Sequence, residues 1–348
     1  MTHIVKQNKT TIVTDFTRVE ERKRATDRPH HGHAQHYMPP PRWRQYIPRQ
    51  LPVTFALQYF LNKAALTHIQ RYAHCAHVFD LDWHLIVHED DGEPSHAARW
   101  QRSLRNYGRN ATLVLSQNVH ELRAYNMAAR MRKADIVVFL QDDEEPPASE
   151  GCEWLGRGLA AFGLNKQLGA VGLRRGATNG DWDDEVRRHG RPSLGQSALC
   201  STELEGQARY VLAVDLAPLL VRRKAFVEVG GFPTFLTPPG VPGVGMDTLL
   251  SIRLWRRGWQ VLLMPHHFVS SNPAAQRSVE DAQRSNSQSS ERVAQYVKTA
   301  RFIKETFLYN RTDPWRNRTL RKVHRLNAEQ FENCSWSEWM KGERERFG

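Results

Sequence analysis

Residues Ala134–Pro147 read ADIVVFLQDDEEPP. Ile136–Leu140 is an unbroken apolar run, rich in β-branched residues and too short for a typical helix. Such a run reads as a strand buried on both faces, the form strands take in a parallel sheet. Four acids follow without a break, Asp142, Asp143, Glu144 and Glu145, and Pro146 and Pro147 then stop the chain. In open parallel sheets the ligand crevice lies beyond the carboxyl ends of the strands, where these carboxylates fall. Like charges a few Å apart there raise one another's pKa unless a cation offsets them. A hard divalent ion held by one or two carboxylates and substrate phosphates suits such a place. The alternative is a solvated acidic turn leading into the next helix behind its prolines.

Upstream, the same alternation of strand and helix recurs. Val53–Phe60 reads as a strand, Lys63–Ala76 as a helix with Leu66, Ile69, Ala73 and Ala76 at helical spacing, and Trp83–Val87 as a second strand. That strand runs into His88-Glu89-Asp90-Asp91-Gly92, so a second acidic pair stands at a strand end. A polar helix near Ser95–Tyr107 and a strand Thr112–Leu115 follow. Asn118 with Glu121 three residues on signals a capped helix through Met131. The alternation implies parallel order and right-handed crossovers.

Downstream, Trp154–Leu164 reads as a helix and Gly169–Leu173 as a strand. A polar, glycine-containing stretch, Gly176–Gly195, includes Trp182 and has the length of a functional lid or an insertion. Tyr210–Leu216 and Leu219–Arg222 read as strands flanking Pro218. Pro238–Gly245 is a glycine-bearing loop, Thr248–Arg257 a helix that Asp247 would cap, and Trp259–Met264 a strand closed by Pro265, His266 and His267.

The 348 residues carry 49 Lys and Arg against 37 Asp and Glu, a net charge of +12. That balance favours anionic partners, nucleic acid or a membrane surface, met through the basic ends. Residues 1–50 form a basic His/Pro-rich tail, with His30-His31-Gly32-His33 and Pro39–Arg42, whose composition suits no core. Residues 51–275 form the α/β domain, 51–150 and 151–275 being its halves, and 276–348 a helical C-terminal extension with an amphipathic helix at Arg292–Leu308. No run of about 18 apolar residues spans a bilayer, and no secretory signal opens the chain. The four cysteines, Cys75, Cys152, Cys200 and Cys334, form no CxxC pair and read as reduced thiols in a cytoplasmic protein, nuclear if its partner is DNA.

Three acid-bearing segments occur in a fixed order. HEDDG at His88–Gly92 closes one strand. Arg123 and Asn126 on a helix precede Ala134–Asp143. Arg222–Phe232 (RRKAFVEVGGF) then precedes Gly245–Trp259, where Asp247 opens a helix after the glycine loop. In this order they resemble the family 2 glycosyltransferases of the GT-A fold, a Rossmann-like, mostly parallel central sheet flanked by helices, over roughly Pro52–Pro265. The resemblance implies a nucleotide-diphospho-sugar donor, a UDP-sugar first, and a carbohydrate or other hydroxyl-bearing acceptor. It implies nucleotide contacts at Phe60, Asp90, Asp91, Arg123, Asn126 and Asp142. It implies Mn²⁺ or Mg²⁺ on Asp143 and Glu144, with His266 or His267 as a further ligand, and Asp247 as the general base of an inverting transfer.

The chain departs from that pattern in two places. The metal motif reads QDDE, which leaves the shares of Asp142, Asp143 and Glu144 open. Met246 and Leu249 stand where the family carries acids, so Asp247 serves the acceptor side alone. Other classes fit parts of the sequence: a metal-dependent nuclease on the same carboxylates, a nucleic-acid-binding module, a transferase acting on a hydroxylated DNA base, or a relative that binds a sugar nucleotide without transferring it. A nuclease, however, has no need of the RR…VGGF and glycine-loop block.

Overall fold

The computed structural model describes residues 3–7, 10–14, 42–59, 64–90, 92–117, 119–148, 151–173, 176–177, 208–216, 218–241, 243, 245–264, 266, 268–270, 294, 297–299, 301–308 and 315–330. The strands are β1 (His3–Gln7), β2 (Thr10–Thr14), β3 (Pro52–Tyr59), β4 (Asp82–Glu89), β5 (Ala111–Leu115), β6 (Ile136–Gln141), β7 (Glu144–Glu145), β8 (Leu168–Gly172), β9 (Gly176–Ala177), β10 (Arg209–Tyr210), β11 (Ala213–Val214), β12 (Leu219–Arg222), β13 (Gln260–Leu263) and β14 (Val269–Ser270). The helices are α1 (Ala65–Val78), α2 (Pro94–Leu104), α3 (Glu121–Met131), α4 (Glu153–Leu164), α5 (Arg223–Glu228), α6 (Met246–Arg256) and α7 (Trp315–Gln330).

A 10-stranded sheet runs in the order β1-β2-β5-β4-β3-β6-β12-β8-β13-β10. β5, β4, β3 and β6 are mutually parallel, as the strand–helix alternation predicts, and β8 pairs parallel with β13. β12 runs antiparallel to both β6 and β8, one reversed strand in a central sheet that is mostly parallel, as the resemblance implies. The strand read over Tyr210–Leu216 is two strands: β10 joins β13 while β11 pairs with β9 in a separate ribbon.

β6 is the buried axis of this sheet. Ile136–Leu140 are all buried, and Phe139 stands among Tyr125 of α3, Phe226 of α5 and Phe232 at 4.8, 5.2 and 5.4 Å between ring centroids. That cluster accounts for the phenylalanines of the RRKAFVEVGGF segment. Its arginines are anchors as well: Arg222 donates to the carbonyls of Leu168, Phe162 and Asn165, and Arg223 to that of Ala129. Met246 and Leu249, which stand in place of acids, are buried in the core.

Packing begins before Leu51. β1 and β2 add antiparallel to the β5 edge, and Trp43, 6% exposed, lies 6.0 Å from the ring of Phe79. A side chain at Gly156 of α4 would strike the Trp43 ring, so glycine there is what admits the tryptophan. At the other end, α7 docks on β10, where Asn327 takes the Tyr210 N–H at 2.7 Å and returns its amide to the Tyr210 carbonyl at 2.9 Å.

The reading of the cysteines as reduced thiols is corrected in one pair. Cys75, in the last turn of α1, and Cys152, at the start of α4, form a disulfide across 77 residues with their Cα atoms 5.2 Å apart. The partners meet only because α1 and α4 cover the same face of the sheet, which no spacing rule conveys. Cys200, Cys334, the histidine tract at 30–36 and Trp182 lie outside the described residues. No helix among the described residues is long and apolar enough to cross a membrane.

Candidate active site

The acidic run after β6 turns at once. Asp142 and Asp143 make the turn, and Glu144 and Glu145 form β7, paired antiparallel with Ser270 and Val269 of β14. This pairing brings the chain beyond His266 against the acids. Asp142 and Glu144 are 7% and 3% exposed. Two phenols hold the backbone on either side: Tyr125 donates to the Leu140 carbonyl at 2.7 Å and Tyr72 to that of Glu144 at 3.3 Å. Burial first, then the charges of Glu121, Asp142 and Asp143, push the Tyr125 phenol well above its ordinary pKa. Tyr72 is raised by burial and then by Glu144. Arg71 closes the outer side, 2.8 Å from Glu145 and 2.9 Å from the Pro146 carbonyl.

At the end of β4, Asp90 is committed to its neighbours. One carboxylate oxygen accepts from the Ser116 hydroxyl at 2.5 Å and the Val119 N–H at 2.8 Å, and the other from the His120 N–H at 2.7 Å. Ser116 in turn lies 2.8 Å from Nε2 of His88, whose pKa burial lowers to about 4, so the imidazole is neutral and donates there. Asp90 thus shapes the loop leading into α3. That helix starts at Glu121 behind His120, which has a φ of 65° and no side-chain cap, in place of the Asn118 cap the spacing suggests. Asp90 supplies from β4 what a capping side chain supplies locally.

Residues Arg123 and Asn126 clamp α3 to the second half of the domain. Asn126 donates to the Phe232 carbonyl and accepts from the Phe232 N–H, both at 2.8 Å. Gly231 has a φ of +73°, and any side chain there would collide with the Asn126 amide. Arg123 donates to the carbonyls of Thr237 at 2.6 Å and Pro238 at 3.3 Å. Glu121 accepts the Gly243 N–H at 2.8 Å through one oxygen and meets His120 Nδ1 at 2.6 Å through the other. Burial alone would raise its pKa, yet His120 and the Gly243 N–H hold it below the ordinary value. Glu121 therefore fixes the glycine loop in front of Asp247.

The helix α6 begins one residue before Asp247, and its cap is Gly245 at φ 80°, so Asp247 sits in the first turn. Its Oδ1 accepts the Thr248 N–H at 2.7 Å and its Oδ2 the Leu216 N–H at 2.9 Å. Burial raises its pKa above the usual aspartate value, the three backbone N–H contacts oppose that, and the charge of Glu121 adds to it. A chain of electrostatic neighbours therefore runs from Asp247 through Glu121 and Tyr125 to Asp142 and Asp143.

Of the residues singled out from sequence, Asp90, Asp142, Asp143 and Glu144 follow the carboxyl ends of β4 and β6, and Asp247 sits in the first turn of α6. Arg123 and Asn126 are turned to the loop contacts above. Phe60, Asp91 and His267 lie outside the described residues. The positioning roles of Tyr125, Arg71 and Glu121 escape a sequence reading, since their partners Leu140, Glu145 and Gly243 lie 15 or more positions away. Among the described residues no group of three or more His, Cys, Asp and Glu side chains forms a metal cage. The donor set fits a hard divalent ion all the same, since such ions take one or two carboxylates and complete their shell with water and phosphate oxygen.

No protein-family model matches the sequence, and no curated protein does. Among solved structures, the chain is similar to the mannosyltransferase PcManGT from Pyrobaculum calidifontis in complex with GDP-Man and Mn²⁺, at 18% identity and a TM-score of 0.43, over 82% of this chain and 81% of that one. It is also similar to S. aureus TarS 1–349, at 12% identity and a TM-score of 0.44, over 84% of this chain and 89% of that one.

Proposed function

We propose that this protein is a glycosyltransferase of the GT-A fold that moves a sugar from a nucleotide-diphospho-sugar to an acceptor hydroxyl, with inversion. The observation that carries the reading is that Asp90 and Asp142–Glu144 follow the carboxyl ends of the parallel strands β4 and β6, with Asp247 opening α6 further on, in the order of the family 2 motifs. Asp143, with Asp142 or Glu144 beside it and His267 within the segment that follows β13, would hold Mn²⁺ or Mg²⁺. That ion supplies charge neutralisation at the donor diphosphate.

The protein's own groups do the rest. Asp91 accepts from the base or ribose of the donor, and Asp90 holds the loop that follows. Asp247 takes the acceptor hydroxyl proton; three backbone N–H groups meet its carboxylate, whose two oxygens offer about four lone-pair sites. The acceptor oxygen bonds to the anomeric carbon as the bond to the diphosphate breaks on the opposite face, and the nucleoside diphosphate departs with the electron pair. Burial of Asp247 makes it a stronger base than a solvated aspartate.

The test is a melting-point panel of UDP- and GDP-sugars with and without Mn²⁺, followed by turnover of the stabilising donor. At a ligand concentration of 100 Kd the stabilisation is about 2.7 kcal/mol. Asp247→Asn is expected to keep donor-induced stabilisation and lose turnover. Absence of any metal-dependent shift, or full turnover in Asp247→Asn, overturns the proposal.

A further inference from the structure

At the end of α6 far from Asp247 lies a cavity of about 270 Å³ lined by Glu228, Val229, Arg253, Arg256, Arg257 and Phe307. Three arginines thus share it with one carboxylate. They stand three and four residues apart along one helix end, an arrangement of like charges that repels. Their plain structural role would be to neutralise the carbonyls at the helix C-terminus. Three of those carbonyls already have backbone partners: Arg257 N–H bonds to Arg253 and Leu254, Gly258 N–H to Trp255 and Trp259 N–H to Leu254, in a turn that Gly258 makes at φ +88°. Two of the guanidinium groups stack on rings, and that of Arg253 also donates to the Val229 carbonyl at 3.5 Å. Arg253 lies 5.8 Å over Phe235, and Arg256 5.4 Å over Phe307 and 5.8 Å over Trp315. Glu228 accepts from the Trp259 indole at 3.3 Å. The Arg257 side chain hydrogen-bonds to no described residue.

We propose that this cavity binds a phosphate group, gripped by Arg253, Arg256 and Arg257 at a place separate from the sugar-transfer site. Planar guanidinium groups grip phosphate oxygens through paired N–H bonds, and the cavity falls below the roughly 300–1,000 Å³ of sites for larger organic ligands. The phosphate arrives either as a free anion or as the headgroup of an acidic lipid. Two exposed apolar side chains on the same part of the surface, Phe235 at 60% and Val227 at 48%, suit the second source.

The test uses the full chain in EDTA, so that no divalent ion recruits phosphate to the carboxylates. Calorimetry measures binding of inorganic phosphate and pyrophosphate. Co-sedimentation at physiological salt measures binding to phosphatidylcholine vesicles with and without phosphatidic acid. Arg256→Gln/Arg257→Gln is expected to weaken whichever binding is found by about tenfold or more, and Arg257→Gln alone to weaken it measurably with an unchanged melting point. Arg102→Gln/Arg105→Gln, on exposed positions of α2 and its end, removes equal charge and is expected to leave binding intact. Phosphate binding assigns a free anion, and binding confined to phosphatidic acid vesicles assigns a headgroup. No binding in either arm, binding indifferent to the Arg256 and Arg257 changes, or equal loss in the α2 variant overturns the proposal.

Discussion

Removal of the Asn126 side chain is expected to loosen the joint between the two halves of the domain. The amide makes two hydrogen bonds of 2.8 Å with the backbone of Phe232, which is 1% exposed, so its removal leaves a donor and an acceptor of a buried residue without those partners. A hydrogen bond contributes about 0.5–1.5 kcal/mol net, and an orphaned buried donor or acceptor costs about 1–3 kcal/mol. Asn126→Ala should therefore cost about 2–4 kcal/mol, a large share of the ~5–15 kcal/mol that holds a domain together. Urea unfolding followed by tryptophan fluorescence would show a lower midpoint at unchanged slope. Asn126→Asp adds a sign test. The carboxylate it introduces still accepts the Phe232 N–H, but its second oxygen faces the Phe232 carbonyl, so the ionised form is disfavoured in the folded state. Its folded pKa then lies above the unfolded value, and the deficit against the natural protein should be full at neutral pH and shrink as pH falls through the folded pKa. A loss below about 0.5 kcal/mol in Asn126→Ala, or an Asn126→Asp variant as stable as the parent at neutral pH, refutes the tether.

Turnover should rise with pH through an apparent value above that of an ordinary aspartate, because Asp247 is raised by burial and acts deprotonated; Glu121→Gln removes a like charge and should move that limb to lower pH. An unmoved limb in that variant, measured as kcat/KM against pH, counts against Glu121 as its neighbour. Cys75→Ser/Cys152→Ser opens a loop of 77 residues, for which chain entropy gives up to about 4.5 kcal/mol of lost stability, read by denaturant unfolding without reductant. Asp143→Asn should abolish the Mn²⁺-dependent part of the donor-induced melting shift and leave the nucleotide-only part, whereas an unchanged metal response assigns the ion elsewhere.

Much of the first half was legible because its signals are local. An apolar run of five β-rich residues between polar ends reads as a strand buried on both faces, and the acids behind β6 and β4 fall at the sheet's carboxyl edge once strand and helix alternate. Buried α1 positions such as Ile69, Ala73 and Ala76 follow the helical period for the same reason. What each polar group does was not local. Asn126 meets Phe232 across 106 positions, Glu121 meets Gly243 across 122 and Cys75 meets Cys152 across 77, so their roles exist only after the sheet has set the segments side by side. Asp90, which sequence places with the ligand, is claimed by three donors of a loop nearly 30 residues further on. The cap of α6 was likewise settled by a left-handed Gly245, which hydrophobic period does not show. Periodicity specifies which face of an element leaves water; the partner that satisfies a buried donor or charge is specified only by the packed chain.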